Sequence, residues 1–426
     1  MTSAENIHPD MVIRARVKLL NPERIGLADR VWAYRILGAV EPGYLPRLVE
    51  ALVPWIRACT GNEHRIAVTR EAVAAARRIH PSEPKRLDLL CQALDRRQSV
   101  LHELGRRGEG RALREELAAL GRPGPLAVTL AEEGRHAESA EILGRLAANC
   151  PAYDSWRHIA WSAELEAAGR PAEAIAAATA LVARTRARLE STGASLAMLS
   201  WELTHLARLL DAFGAPADGR PVRAEIHTLL TELAATGERR NPSNIHAWWC
   251  VLLGVSGRAD EPEASGVPSP AFGEDTLQWS PGMRQAHLDG RQALADACAD
   301  LAPRAESEPG RHLSSLVTAH RRLTIRESYY WTGRSHRVKE PLGPFFDRGV
   351  ELARRLATAV PGAGTAPLIR ALTDRSGFRL ATREYAPGLT DFREAEELRA
   401  AGGRGPGEVR QARTGHLAPT ALTGSG

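Results

Sequence analysis

Lysine is almost missing from this chain of 426 residues: Lys18, Lys85 and Lys339 are the whole complement, and arginine supplies the rest of the positive charge. That bias is what GC-rich coding produces, so the net charge of +5 says little about partners. Aromatic residues are scarce as well, at 5%. The cysteines, Cys59, Cys91, Cys150, Cys250 and Cys298, stand far apart and form no CxxC or other metal-ligand spacing. They read as reduced, small core residues. No hydrophobic run approaches the roughly eighteen residues of a membrane span, and the N-terminus carries acid without a continuous apolar stretch, so neither a membrane segment nor a signal peptide is expected. A reducing cytoplasm is the natural compartment. Catalytic signatures are absent too: no Walker-type glycine loop, no HExxH, no GxSxG and no GxGxxG between strand and helix. No catalytic residue, cofactor or metal is therefore expected.

What is present is helix-forming material. Alanine, leucine and arginine dominate and β-branched residues are sparse, which predicts an all-α fold. Hydrophobic residues at 43% and charged ones at 25% exclude wholesale disorder. Several segments read as an apolar-periodic helix, a glycine followed by polar residues, then a second amphipathic helix. The clearest run from Pro125 to Pro151 and from His158 to Glu190; others begin at Tyr44, Leu101 and Leu196. Their turn glycines, Gly61, Gly105, Gly134, Gly169, Gly214 and Gly257, lie roughly 29 to 45 residues apart, about one helix pair each. Glycine suits a helix end that needs a left-handed backbone. Pro81 and Pro151 end second helices.

The Pro125–Pro151 and His158–Glu190 segments resemble tetratricopeptide repeats. Each has a small residue in its first helix (Ala127, Ser162), the turn glycine (Gly134, Gly169) and a small residue early in its second helix (Ser139, Ala174). The start at Tyr44-Leu45-Pro46-Arg47-Leu48 resembles units of tandem tetratricopeptide proteins from high-GC bacteria. Two positions depart from the pattern: Arg97 replaces an apolar residue, and Gly219 stands where alanine is expected. The resemblance implies a right-handed superhelix of antiparallel helix pairs that holds a peptide or helix of another protein in its concave groove. The competing reading is a non-repetitive bundle of helical hairpins.

Residues 1–40 read as an N-terminal helical cap, 41–257 as the repeats, and 258–281 as a Pro-, Gly- and Ser-rich loop or linker. A C-terminal helical region spans 282–401, with helices near Met283–Leu301, Leu313–Tyr330 and Pro344–Ala359. A short last helix is expected to begin at Asp391, capped with Glu394. Residues 402–426 lack an apolar period and read as a disordered tail.

Trp156, Trp161, Trp201, Trp248 and Trp249 fall in first helices. Alignment on the turn glycines puts Trp161 and Trp249 in the helix–helix core and Trp156 and Trp201 on the groove side. Thr204, Arg208 and Asp211 follow Trp201 along the helix at helical spacing. Trp156, Trp201, Thr204, Arg208 and Asp211 therefore form the candidate partner-binding set, an aromatic anchor with polar flanks. The alternative is a nucleic-acid-associated or ligand-sensing regulator. Between Arg311 and Glu340, seven basic residues face only Glu327 and Glu340, and Tyr329, Tyr330 and Trp331 interleave with them. Arg321, Arg322, Arg326, Arg334 and Arg337 are the candidate phosphate contacts there. The histidines His158, His205 and His246 read as ordinary helix surface or core.

Overall fold

The protein is described by a computed structural model covering residues 7–20, 25–149, 156–191, 194–214, 218–238, 245–262, 266–332, 338–360 and 362–402. Among these residues the fold is all-α, with eighteen helices and no strand. In chain order they are α1 (Pro9–Lys18), α2 (Leu27–Val40), α3 (Leu45–Ala58), α4 (Asn62–Arg78), α5 (Arg86–Glu103) and α6 (Arg107–Ala119). Then come α7 (Gly124–Glu132), α8 (His136–Ala148), α9 (Trp156–Ala167), α10 (Pro171–Ser191), α11 (Leu196–Phe213) and α12 (Gly219–Thr236). The last six are α13 (Ile245–Gly257), α14 (Pro281–Ser307), α15 (Pro309–Trp331), α16 (Lys339–Ala359), α17 (Ala366–Ala381) and α18 (Tyr385–Gly402). No described helix is long and apolar enough to cross a membrane.

Two compact units divide the chain. The first holds residues 1–150, 164–169 and 263–287; the second holds 151–163, 170–262 and 288–426. In the first, α1 to α7 each pack against the next helix in sequence. Its core is built from the apolar stripes of α3 to α6, including Leu48, Leu52, Val73, Leu94 and Leu117, each of which contributes about 1.5–3 kcal/mol by leaving water. In the second unit, α11 packs on α10 and α12, and α15, α16, α17 and α18 follow pairwise. The C-terminal hairpin then returns: α18 packs on α12, and α17 on α13 and α11.

The turns explain the helix pairing. At Gly134 (φ 74°) the chain leaves α7 left-handed, and the Arg135 N–H reaches back to the Leu130 carbonyl at 2.8 Å. This satisfies a carbonyl that the helix end would otherwise orphan. Arg135 then clamps Glu138 with two hydrogen bonds, as Arg106 does Glu109 and Arg170 does Glu173. Gly61, Gly105 and Gly169 are left-handed as expected, whereas Gly214 (φ −94°) and Gly257 (φ −90°) are not. α11 ends at Gly214 in extended backbone, and Gly257 continues into a 3-10 turn, Arg258–Asp260.

The small residues meet across these pairs at a constant twelve-residue separation. Ser139 Oγ donates to the Ala127 carbonyl at 2.9 Å, and Ser162 Oγ to that of Ala174 at 3.3 Å. Ser376 Oγ donates in the same way to the Gly388 carbonyl, at 2.8 Å, between α17 and α18. That pair escapes the glycine pattern because Arg383 (φ 64°) occupies its left-handed turn position.

Several expectations for the second half need correction. Beyond the 3-10 turn the described part of 258–281 is irregular, as expected of a loop, but it is not a free linker. Phe272 and Trp279 are buried, and their rings pack edge to face with each other and with His287 at 5.2–6.0 Å. The buried Glu132 carboxylate accepts from Ser280 N (2.7 Å), Ser280 Oγ (2.6 Å) and Arg107 (2.7 Å), which ties this segment to α7. Hydrophobic anchors spaced within a Pro- and Gly-rich sequence leave no periodicity to read. The third C-terminal helix begins at Lys339, so Pro344 lies inside it rather than at its start. Asp391 caps nothing: α18 begins at Tyr385, and Asp391 is buried mid-helix, paired with Arg375 and Arg379 of α17. The expected tail from residue 403 onward lies outside the described residues.

Candidate partner-binding cavity

Ser195 starts α11 by accepting the Met198 N–H on its side-chain oxygen at 3.0 Å, the usual service of an N-cap serine. From there, Trp201, Thr204, Arg208 and Asp211 fall three or four residues apart and so share one helical face. That face borders an open cavity of about 1320 Å³ in the second unit. α12 adds Arg220, Arg223, Ile226 and Leu230, and α13 adds Trp249, Leu252 and Leu253. α17 and α18 close the far side with residues that include Arg370, Asp374, Gly377, Phe392, Glu396 and Arg399.

The cavity wall carries ordered chains of ion pairs. Asp211 receives Arg223 Nη1, Arg223 Nε lies 3.1 Å from Glu396, and Glu396 pairs with Arg399. This chain links α11, α12 and α18. Gly219 makes it possible, because a Cβ there would lie 2.4 Å from Arg223 Nη1 and 2.6 Å from Asp211 Oδ1. The departure from alanine thus has a local steric cause. On the α17 side, Arg370 pairs with Asp260 at 2.9 Å, Asp260 also pairs with Arg321, and Arg321 holds Asp374 at 2.7 Å. A smaller cavity of about 180 Å³, bordered by His320, Phe345 and Phe346, shares Arg370 and Asp374 with this chain.

The floor is aromatic and tightly held. The Trp201 indole N–H donates to the Gly377 carbonyl at 3.1 Å, and a Cβ on Gly377 would meet Trp249 Nε1 at 2.9 Å. Trp249 also packs on Phe346 and Phe378 at 5.5 and 5.7 Å. Next to Trp201, the buried His205 accepts from Arg208 on Nδ1 (3.4 Å), which assigns the ring proton to Nε2, facing Ser162 Oγ at 3.1 Å. Burial and the Arg208 charge hold His205 well below the usual histidine range, so it is neutral at pH 7. Also on α11, but not bordering the cavity, the Glu202 carboxyl is pushed up to about 8 by burial, partly offset by the Thr185 hydroxyl and Arg188.

Four members of the candidate set, Trp201, Thr204, Arg208 and Asp211, border the cavity. Trp156 does not: it packs against Trp248 at 4.6 Å. Trp201 is itself only 5% exposed, a floor residue rather than a projecting anchor. Trp249 is buried as expected, but Trp161 is half-buried against His158. The residues that sequence reasoning missed lie on α12, α17 and α18. Gly377 and Glu396 are far from Trp201 in sequence, and no local pattern signals their approach.

The arginines set aside for nucleic acid have other partners. Arg321 is held, half-buried, between Asp260 and Asp374, and Arg322 and Arg326 both pair with Glu261, at 3.3 and 3.0 Å. Asp260 and Glu261 come from the start of the 258–281 segment and Asp374 from α17, all outside the basic stretch, which is why the local charge count misleads. Arg334 and Arg337 lie outside the described residues. Cys59, Cys91 and Cys298 are free thiols that burial raises above the ordinary thiol range, and the buried Cys250 sulfur lies 3.4 Å from His246 Nε2. No group of three or more potential metal ligands occurs among the described residues. No protein-family model, curated protein or solved structure matches the chain.

Proposed function

We propose that this chain is a non-catalytic adaptor of the tetratricopeptide kind, which holds a peptide or helix of a partner protein in the cavity bordered by α11, α12, α13, α17 and α18. The observation that carries this reading is the cavity itself. At about 1320 Å³ it exceeds the roughly 300–1,000 Å³ typical of small-molecule pockets, and it mixes apolar floor with ordered polar walls. The recurrent helix pairs, with their left-handed turns and twelve-residue small-residue contacts, support the family resemblance. The site differs from a simple first-helix groove, because both helices of two hairpins border it. Nucleic-acid contact through residues 311–339 has less support, since Arg321, Arg322 and Arg326 are already held by carboxylates.

The test is affinity capture with the full chain and with an Ala212→Trp variant. Ala212 is exposed and borders the cavity, so the indole narrows the opening without entering the core. The expected result is a partner, identified by mass spectrometry, that the parent retains and the variant loses. A partner retained equally by both moves the binding surface elsewhere.

A further inference from the structure

We infer that the partner segment seated in this cavity is acidic, with a carboxylate meeting Arg220 at the rim and apolar side chains lying on the Trp201–Leu253 floor. The inference rests on the adaptor reading and adds the chemistry of the occupant. The charged residues bordering the cavity are Arg208, Arg220, Arg223, Arg370 and Arg399 against Asp211, Asp374 and Glu396. Each of those acids is already answered by an arginine: Asp211 by Arg223, Glu396 by Arg223 and Arg399, and Asp374 by Arg321. None is left to attract a basic partner, and Arg223, Arg370 and Arg399 are themselves held by Asp211, Asp260 and Glu396. Arg220, exposed at the start of α12, forms no ion pair among the described residues. Its guanidinium offers a carboxylate a planar pair of donors.

A polyphosphate backbone fits less well. Single-stranded nucleic acid needs open aromatic faces for its bases. Here Trp201 and Trp249 are 5% and 3% exposed, the first committed to the Gly377 carbonyl and the second to Phe346 and Phe378. Apolar side chains such as Ile226, Leu230 and Leu253 complete a floor suited to leucine or phenylalanine.

The test is fluorescence anisotropy with the full chain and three labelled synthetic peptides. All carry leucine at i, i+3, i+4 and i+7, and the intervening positions are glutamate, glutamine or lysine. A labelled single-stranded oligonucleotide is the fourth probe. The glutamate peptide is expected to bind about tenfold tighter than the glutamine one at low salt, with the gap narrowing as salt rises. Arg220→Glu should remove most of that preference and Arg220→Lys should keep part of it; neither disturbs a buried contact. Equal or tighter binding of the glutamine or lysine peptide overturns the inference and leaves the adaptor reading standing. Binding of the oligonucleotide but of no peptide overturns both, as does binding of no probe.

Discussion

Glu202 provides the sharpest test of the packing around α11. Its carboxyl is buried beside Thr185 of α10, and burial raises it from 4.5 to about 8. A carboxyl whose folded value lies above its unfolded one stabilises the fold while it is protonated in both states. That contribution is complete below about 4.5 and is lost as pH rises to about 8. At pH 7 the unfolded chain gains about 3 kcal/mol by ionising this group, and above pH 8 about 5 kcal/mol. Glu202→Gln removes the pH-dependent cost. The amide must still find partners in the same space, at a cost of about 1–3 kcal/mol. The variant should therefore unfold at higher urea than the parent at pH 8.5, by about 2–4 kcal/mol, and show no advantage at pH 5. Urea titrations followed by far-UV circular dichroism across that range measure the difference. A stability gap that stays constant with pH would refute the reasoning, since it would mean that Glu202 ionises freely in the folded protein.

Glu132→Ala leaves Arg107 and the Ser280 N–H without their buried acceptor and should cost about 3–5 kcal/mol. Limited proteolysis should then cut within 266–280 much faster than in the parent; unchanged cleavage would show that Phe272 and Trp279 hold the segment alone. Asp391→Asn weakens the tie to Arg375 and Arg379 and should cost a similar amount, about 3–5 kcal/mol, read as a lower urea midpoint. Gly377→Ala pushes a methyl against Trp249 and should destabilise by about 1–3 kcal/mol, with a change in tryptophan emission. Gly349→Ala in α16, whose added Cβ would meet nothing nearer than 3.7 Å, should instead stabilise by about 0.5–1 kcal/mol.

Sequence reading was strongest where chemistry is local. Helix-forming composition established the all-α class, and the glycine after an apolar stripe located the left-handed turns at Gly61, Gly105, Gly134 and Gly169. It failed where another residue type fills the glycine's place. Arg383 takes the turn position between α17 and α18, so that pair was not recognised. Turn composition also hid the burial of Phe272 and Trp279, because two ring anchors can pin an irregular segment without any helical period. For the candidate cavity, spacing alone put Thr204, Arg208 and Asp211 beside Trp201. Which residues face them from α12, α17 and α18 is a tertiary matter. The basic stretch shows the same limit, since Arg321 and its acid Asp260 lie 61 residues apart.

The hydrogen bond from Trp201 to Gly377 spans 176 residues of chain, and that distance is also an interval of time. At about 5–20 residues per second, a ribosome needs roughly 10–35 s to travel from one to the other. During that interval α11, α12 and α13 can pair locally while Trp201 and Trp249 still lack the helix that covers them. The nascent chain thus presents an aromatic, apolar surface until α17 and α18 emerge and dock on it. Synthesis stopped before residue 366 leaves that surface uncovered for good, and such a product is a substrate for chaperones and proteases rather than a smaller folded protein.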